Sequence, residues 1–223
     1  MKAMILAAGR GERFRPITDS LPKPLIPVNG KPLIEYHIER LAGIGIDQII
    51  INTAWLGEML PKTLGDGSRW NIELIYSHET QALETGGGIK NALPLLGESP
   101  FFVINADIYI DALPKSTLHI ELNSDRLVHL WMVDNPDHNP LGDFGLKNQN
   151  VTLQATNKLT FSGMGVYHPS LFKDAAEGPF ALAELLKFAI NKQQVTGEKH
   201  VGLWSDVGTI ERLTLLEKKL KLR

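Results

Sequence analysis

Near its start the chain sets Gly9 and Gly11 on either side of Arg10, follows them with Arg13, and holds Lys23 between Pro22 and Pro24. The apolar run Met4, Ile5, Leu6, Ala7, Ala8 leads straight into the first glycine, so the loop falls at the end of a predicted strand. Glycine lets a backbone bring free N–H groups against phosphate oxygens, and arginine and lysine supply the charge an anion requires. The chemistry this pattern suits is phosphoryl or nucleotidyl transfer. Two common phosphate loops fail on spacing. The dinucleotide fingerprint needs a third small residue where the chain has Phe14, and the Walker loop needs four residues between glycines that only Arg10 separates here. A proline-flanked lysine alone is ordinarily a rigid turn, and an arginine pair a solvated surface. Their order after a predicted strand is what carries weight.

Two aspartates stand at comparable positions. Asp107 follows a predicted strand at 101–105, and Asp206 lies in Trp204-Ser205-Asp206-Val207-Gly208-Thr209, between a strand end and a helix start. In open α/β sheets ligands gather beyond the carboxyl ends of the strands, and two converging carboxylates suit a magnesium ion that also binds triphosphate oxygens. Either aspartate alone reads as a turn residue or helix cap. Leu83-Glu84-Thr85-Gly86-Gly87-Gly88 precedes a predicted helix. Its glycines could present N–H groups edge-on to a planar base, or form a flexible turn. His78, His119, His138 and His200 show no ligand spacing and read as surface or packing residues.

The combined pattern resembles the nucleoside-triphosphate:sugar-1-phosphate nucleotidyltransferases. The residues that carry the resemblance are Leu6-Ala7-Ala8-Gly9-Arg10-Gly11-Glu12-Arg13, Arg15-Pro16, Pro22-Lys23-Pro24-Leu25, Pro27-Val28 and Gly30-Lys31-Pro32, and it extends over nearly the full chain. It implies an α/β fold: a Rossmann-like, mostly parallel central sheet with helices on both faces, a small sugar-binding lobe and no C-terminal left-handed β-helix. It implies catalytic roles for Arg13 and Lys23, and nucleotide contacts from Leu6, Ala8, Gly9, Gly11, Arg13, Lys23, Gly86 and Gly87. Sugar contacts are implied for Asn105, Asp143, Gly145 and Ser162, and Mg²⁺ ligation for Asp107 and Asp206. Ala106 stands where the family usually has glycine. The Leu-Glu-Thr-Gly-Gly form and the stretch Asp134-Asn135-Pro136-Asp137-His138-Asn139-Pro140 with Gly142-Asp143-Phe144 are most similar to the uridylyltransferases of N-acetylmuramate 1-phosphate. The implied reaction is then transfer of UMP from UTP to that sugar phosphate in cell-wall sugar recycling.

One departure is informative. The Glu-Lys-Pro segment with which the wider family binds sugar is absent between Val151 and Phe161, where the chain reads Thr152-Leu153-Gln154-Ala155-Thr156-Asn157-Lys158. A muramate carries a lactyl carboxylate, so losing a nearby glutamate relieves like-charge repulsion. It also leaves the sugar phosphate short of a lysine, a role open to Lys158 or to magnesium. The absence weighs against the alternatives within the class, a mannose-1-phosphate guanylyltransferase or glucose-1-phosphate thymidylyltransferase. A binding protein that kept the fold and lost the chemistry would not need all of Arg13, Lys23, Asp107 and Asp206.

The elements that must position these groups alternate along the chain. Ile34, Ile38 and Leu41 share a helical face, Ile49 to Ile51 read as a strand, and further strands are predicted at 72–76 and 101–105. Helices are expected at 55–64, 87–96, 118–122 and 181–191, strands at 127–133, 160–167 and 200–203, and a last helix carries Ile210, Leu213, Leu216 and Leu220. Such alternation predicts a mostly parallel sheet. The polar run 134–143 is expected to face the sugar. A length of 223 residues suits a single domain over 1–223. A net charge of -2 leaves no basic excess for nucleic acid, so the expected partners are small molecules. The absence of cysteine excludes disulfides and thiol catalysis. No apolar run reaches membrane-spanning length and no leader precedes the first strand, so the cytoplasm is the expected location. With no appended left-handed helix domain, a monomer is expected.

Overall fold

The computed structural model describes residues 1–222. The first half of the chain supplies β1 (Ala3–Leu6), β2 (Pro27–Val28), β3 (Lys31–Pro32), α1 (Leu33–Gly43), β4 (Gln48–Thr53), α2 (Met59–Leu64), β5 (Glu73–His78), α3 (Glu84–Leu96), β6 (Phe101–Asn105) and β7 (Ile108–Ile110). The second half supplies β8 (Val128–Val133), β9 (Gly145–Lys147), β10 (Asn150–Thr152), β11 (Thr160–Tyr167), α4 (Leu182–Asn191), β12 (Val195–Lys199), β13 (Trp204–Asp206) and α5 (Ile210–Lys221).

Nine strands form one sheet in the order β5-β4-β1-β6-β11-β8-β12-β10-β9. The first four run parallel to one another. β11 runs antiparallel to both β6 and β8, β12 returns parallel to β8, and β10 opposes β12 and β9. Only β11 and β10 point against the rest, so the sheet is mostly parallel, as the alternation predicts.

Side-chain alternation along the strands feeds a core on each face. Ala3 and Ile5 of β1 join Ile49, Ile51, Phe102 and Ile104 under α1, which buries Ile34, Ile38 and Leu41. Met4 joins Ile50, Phe101 and Val103 under α3 and α4, which bury Ile89, Ala92, Leu96, Leu182 and Leu186. Each buried Ile, Leu, Val or Met side chain among them contributes roughly 1.5–3 kcal/mol on burial. A third cluster contains Phe14, Ile26, Val28, Tyr109, Val207 and Leu216. It pins the loop after β1 and the helix α5 to the β7–β13 pair. Phe14, which breaks the dinucleotide fingerprint, is the anchor of that loop.

Four expected elements differ. The helix at 55–64 shortens to α2, because Leu56 adopts a left-handed backbone (φ 51). The helix at 118–122 is a single 3-10 turn, Thr117–His119. No strand forms at 200–203; Gly202 turns the chain there at φ 150, and pairing falls on β12 and β13 to either side. α3 begins at Glu84 and takes the triple glycine inside its first turns. Packing overrides the low helix propensity of glycine there. Among the described residues no helix is long and apolar enough to cross a membrane.

Candidate active site

Leu6, Asn52, His78 and Asn105 stand at or near the carboxyl ends of the parallel strands and line one cavity of about 850 Å³. This is where a doubly wound sheet places its ligand. The loop 7–13 forms one wall. Gly11 turns it at φ 67, its carbonyl accepting from the Phe14 N–H (2.9 Å) and the Thr18 hydroxyl (2.8 Å). A Cβ there would lie 3.0 Å from both Lys23 Cβ and Thr18 Cγ2, so the position requires glycine in space as well as angle. Arg13 is exposed, and among the described residues its side chain makes no ion pair or hydrogen bond. Its charge is available to an anion. The Arg10 guanidinium lies 4.5 Å over the Trp55 ring, and the indole N–H donates to the Thr18 carbonyl (3.0 Å), which ties this wall to the segment after β4.

A buried polar relay fixes the start of the loop. Asn52 Oδ1 accepts from the Ala7 N–H at 2.7 Å, Asn52 Nδ2 donates to Glu79 Oε1 at 2.7 Å, and Glu79 Oε2 accepts from the Leu83 N–H at 3.1 Å. Asn52 is 3% and Glu79 4% exposed, so the bonds replace lost hydration. Sequence reasoning missed both residues. The available signal was position: Asn52 follows the run Ile49 to Ile51 near the carboxyl end of β4, and Glu79 directly follows the carboxyl end of β5.

The two predicted metal ligands lie on adjacent backbone, Asp107 on the far wall of the cavity and Asp206 beside it. β13 pairs with β7 so that Asp206 faces Ile108 in register, and the Val207 N–H donates to the Asp107 carbonyl (2.7 Å). Lys23, only 8% exposed, sets its ammonium 2.6 Å from Asp107 Oδ2. Asp206 pairs through Oδ2 with Arg212 and lies 3.3 Å from His138 Nε2 through Oδ1. Gly208 makes room for that pair, since a Cβ would stand 2.9 Å from Arg212 Nη1, and the Thr209 hydroxyl caps α5 by accepting from the Arg212 N–H. Both aspartates offer the hard carboxylate oxygens a divalent ion takes, although Lys23 and Arg212 each hold one oxygen of the pair here. Among the described residues no group of three or more carboxylate, histidine or cysteine side chains is placed to hold a metal ion, so the two aspartates would act as a pair. Such an ion would complete its shell with phosphate or water oxygens, as magnesium commonly does.

A second cavity of about 570 Å³ adjoins the first and shares Thr85 and Asn105 with it. Asp143, Phe144, Phe161 and the first turns of α4 line it. Of the expected sugar contacts, Asn105 and Asp143 reach this cavity. The Asp143 carboxylate is engaged by the Asn139 amide (3.1 Å) and the Phe161 N–H (2.8 Å), so it anchors the 134–143 loop to β11. Gly145 and Ser162 are not on its wall. Ser162 is 0% exposed with its hydroxyl accepting from Met164 N–H, and Gly145 packs against Ala155. Lys158 lines neither cavity.

Gly86 and Gly87 also sit apart from the cavities. Both N–H groups donate to the Phe180 carbonyl (3.0 and 3.2 Å), and Cβ atoms would collide with Phe180 Cε2 at 2.3 Å and the Gly178 carbonyl at 2.4 Å. The glycines let α3 pack against the 178–180 segment, while residues 79–85 before them face the nucleotide-sized cavity.

Fold and site together define a nucleotidyltransferase: the family model described as nucleotidyl transferase matches residues 2–222, and the chain belongs to that family. Within the family it is 49% identical over 220 residues to an N-acetylmuramate alpha-1-phosphate uridylyltransferase of Neisseria meningitidis serogroup B, covering 96% of this chain and 95% of that one. It is 30% identical to a protein of the same name from Caulobacter vibrioides, covering 98% and 96%. The fold matches a solved structure of a putative glucose-1-phosphate thymidylyltransferase from Bacillus anthracis in complex with a sucrose, with a TM-score of 0.84, 21% identity, and coverage of 98% of this chain and 94% of that one.

Proposed function

We propose that this chain transfers UMP from UTP to N-acetylmuramate 1-phosphate, releasing pyrophosphate and forming UDP-N-acetylmuramate. The observation that carries the reading is the pair of adjoining chambers: one holds the glycine loop, Arg13 and Lys23, and the other opens from it across Asn105. Two anionic substrates can be seated side by side. Likeness over almost all of its length to the Neisseria and Caulobacter proteins supports the muramate over other sugars.

A sugar phosphate oxygen attacks the α-phosphorus in line, the bond from that phosphorus to the bridging oxygen of the β-phosphate breaks, and pyrophosphate leaves with its electron pair. The nucleophile is already ionised, so no general base is required and the protein's task is alignment and neutralisation. Lys23, fixed from behind by Asp107, contacts the α-phosphate and the incoming phosphate. Arg13 takes up charge on the leaving pyrophosphate. The loop amides around Gly9 and Gly11 receive the triphosphate. Asp107 and Asp206 would hold Mg²⁺, which when bound supplies positive charge between the two anions. A nucleotide-binding protein without chemistry would titrate with UTP and release nothing.

The test follows the α-phosphate. With UTP labelled there, the label should appear in a sugar nucleotide with one pyrophosphate released per turnover. Label recovered in free UMP, or attached to the protein, would overturn the direct-transfer mechanism.

A further inference from the structure

The second cavity carries a charge the reaction itself does not use. Lys187 on α4 lines it, and its side chain makes no ion pair or hydrogen bond to the described residues. Among the described residues it is the only cationic side chain on that wall. Around it the surface is apolar: Phe144, Leu182 and Leu186 are buried, and Phe161 faces them from β11. Asp143, the one acid there, already accepts two hydrogen bonds and is committed to its own loop. The segment 151–161, which ends on the cavity wall at Phe161, contains no acidic residue.

A cavity lined by Phe144, Phe161, Leu182 and Leu186, with Thr85, Asn105 and the committed Asp143 also on its wall and one ammonium without a partner, suits a ligand that ends in a methyl and a carboxylate. Muramate differs from N-acetylglucosamine by a lactyl ether that adds those two groups. Resting on the proposed muramate reading, we infer that Lys187 recognises the lactyl carboxylate while Phe144, Phe161 and Leu182 pack the methyl groups of the sugar. Lys187 is an exposed residue of that wall, and a lysine stem is long enough to lie along apolar surface and keep its charge at the rim, where a carboxylate retains part of its hydration. Lys187 is thus a specificity residue, outside the phosphate chemistry at Lys23 and Arg13.

The experiment compares kcat and KM for N-acetylmuramate 1-phosphate and N-acetylglucosamine 1-phosphate in the wild-type protein, Lys187→Gln, Lys187→Glu and Lys187→Arg, with melting temperature and UTP binding reporting folding. A hydrogen bond to a charged group sets the scale. Lys187→Gln should lower the muramate-to-glucosamine ratio of kcat/KM by roughly ten- to hundredfold, mostly through KM. Lys187→Glu should lower it further, and Lys187→Arg should retain most of the preference. A wild-type preference for the muramate that survives both Lys187→Gln and Lys187→Glu overturns this inference alone. A wild-type preference for the glucosamine overturns it together with the proposed substrate.

Discussion

Replacing Asn52 by alanine should damage stability and nucleotide binding together, because one side chain joins the phosphate loop to the segment before α3. The variant removes the acceptor of the Ala7 N–H and the donor to Glu79 Oε1, both at 2.7 Å and both buried. An unsatisfied buried amide costs about 1–3 kcal/mol, and a lost bond to a carboxylate about 1.5–3 kcal/mol. Water entering from the adjoining cavity recovers part of this, which leaves about 2–4 kcal/mol. For a chain of this size each kcal/mol moves the melting temperature by roughly 2–4 °C, so a fall of about 10 °C is expected. The loop itself loses its fixed start at Ala7, and misplacement of about 1 Å can cost up to a hundredfold in turnover. Thermal melting with steady-state kinetics against UTP reads both effects. A melting temperature within about 2 °C of wild type, with KM for UTP unchanged, would refute the relay as the support of the loop.

Other outcomes follow from the same geometry. Lys23→Ala should lower kcat by about a hundred- to a thousandfold, the scale of one preorganised charge, with little change in melting because Asp107 is partly hydrated; near-normal turnover would remove Lys23 from the mechanism. Gly86→Ala should destabilise the protein by about 1–3 kcal/mol, because its Cβ meets the Phe180 ring at 2.3 Å; loss of UTP affinity at unchanged stability would instead restore these glycines as base contacts. His37 should steepen acid unfolding. Its ring is 1% exposed without a well-formed hydrogen-bond partner, and burial, aided by Arg40 and only partly offset by the Ile108 backbone and Asp107, lowers its pKa to about 3. The unfolded chain then binds more protons below about pH 6.5, so stability is complete above that pH and falls as the pH drops towards 3. The loss reaches about 2 kcal/mol by pH 5, and His37→Leu should flatten that limb in denaturant titrations. Burial lowers His129 and His200 in the same direction.

The placement of the candidate site was legible where a motif is contiguous. Gly11, Lys23 and Arg13 occupy one wall of the cavity, and the two aspartates that stand far apart in sequence become neighbours through the β7–β13 ladder. Strands β11 and β8 and helix α5 follow hydrophobic periodicity closely. What escaped depends on partners distant in sequence. Gly86 and Gly87 read as a free loop because Phe180 and Gly178, which close on them, arrive much later in the chain. Asn52 and Glu79 carry no motif and matter only because two strand ends converge. Ser162 looked like a sugar contact, yet the irregular pairing of β11 between Phe161 and Met164 leaves its side chain wholly buried. The lining of the second cavity combines α4 with the 142–144 turn, a pairing no local spacing reveals.

The account is tested most directly by pyrophosphate release from UTP, GTP and dTTP with Mg²⁺, each against the 1-phosphates of N-acetylmuramate, N-acetylglucosamine, glucose and mannose. Turnover concentrated on UTP with the muramate is the predicted result. Preference for another pair would contradict the assigned substrate, and UTP binding without pyrophosphate release from any pair would contradict the enzyme itself.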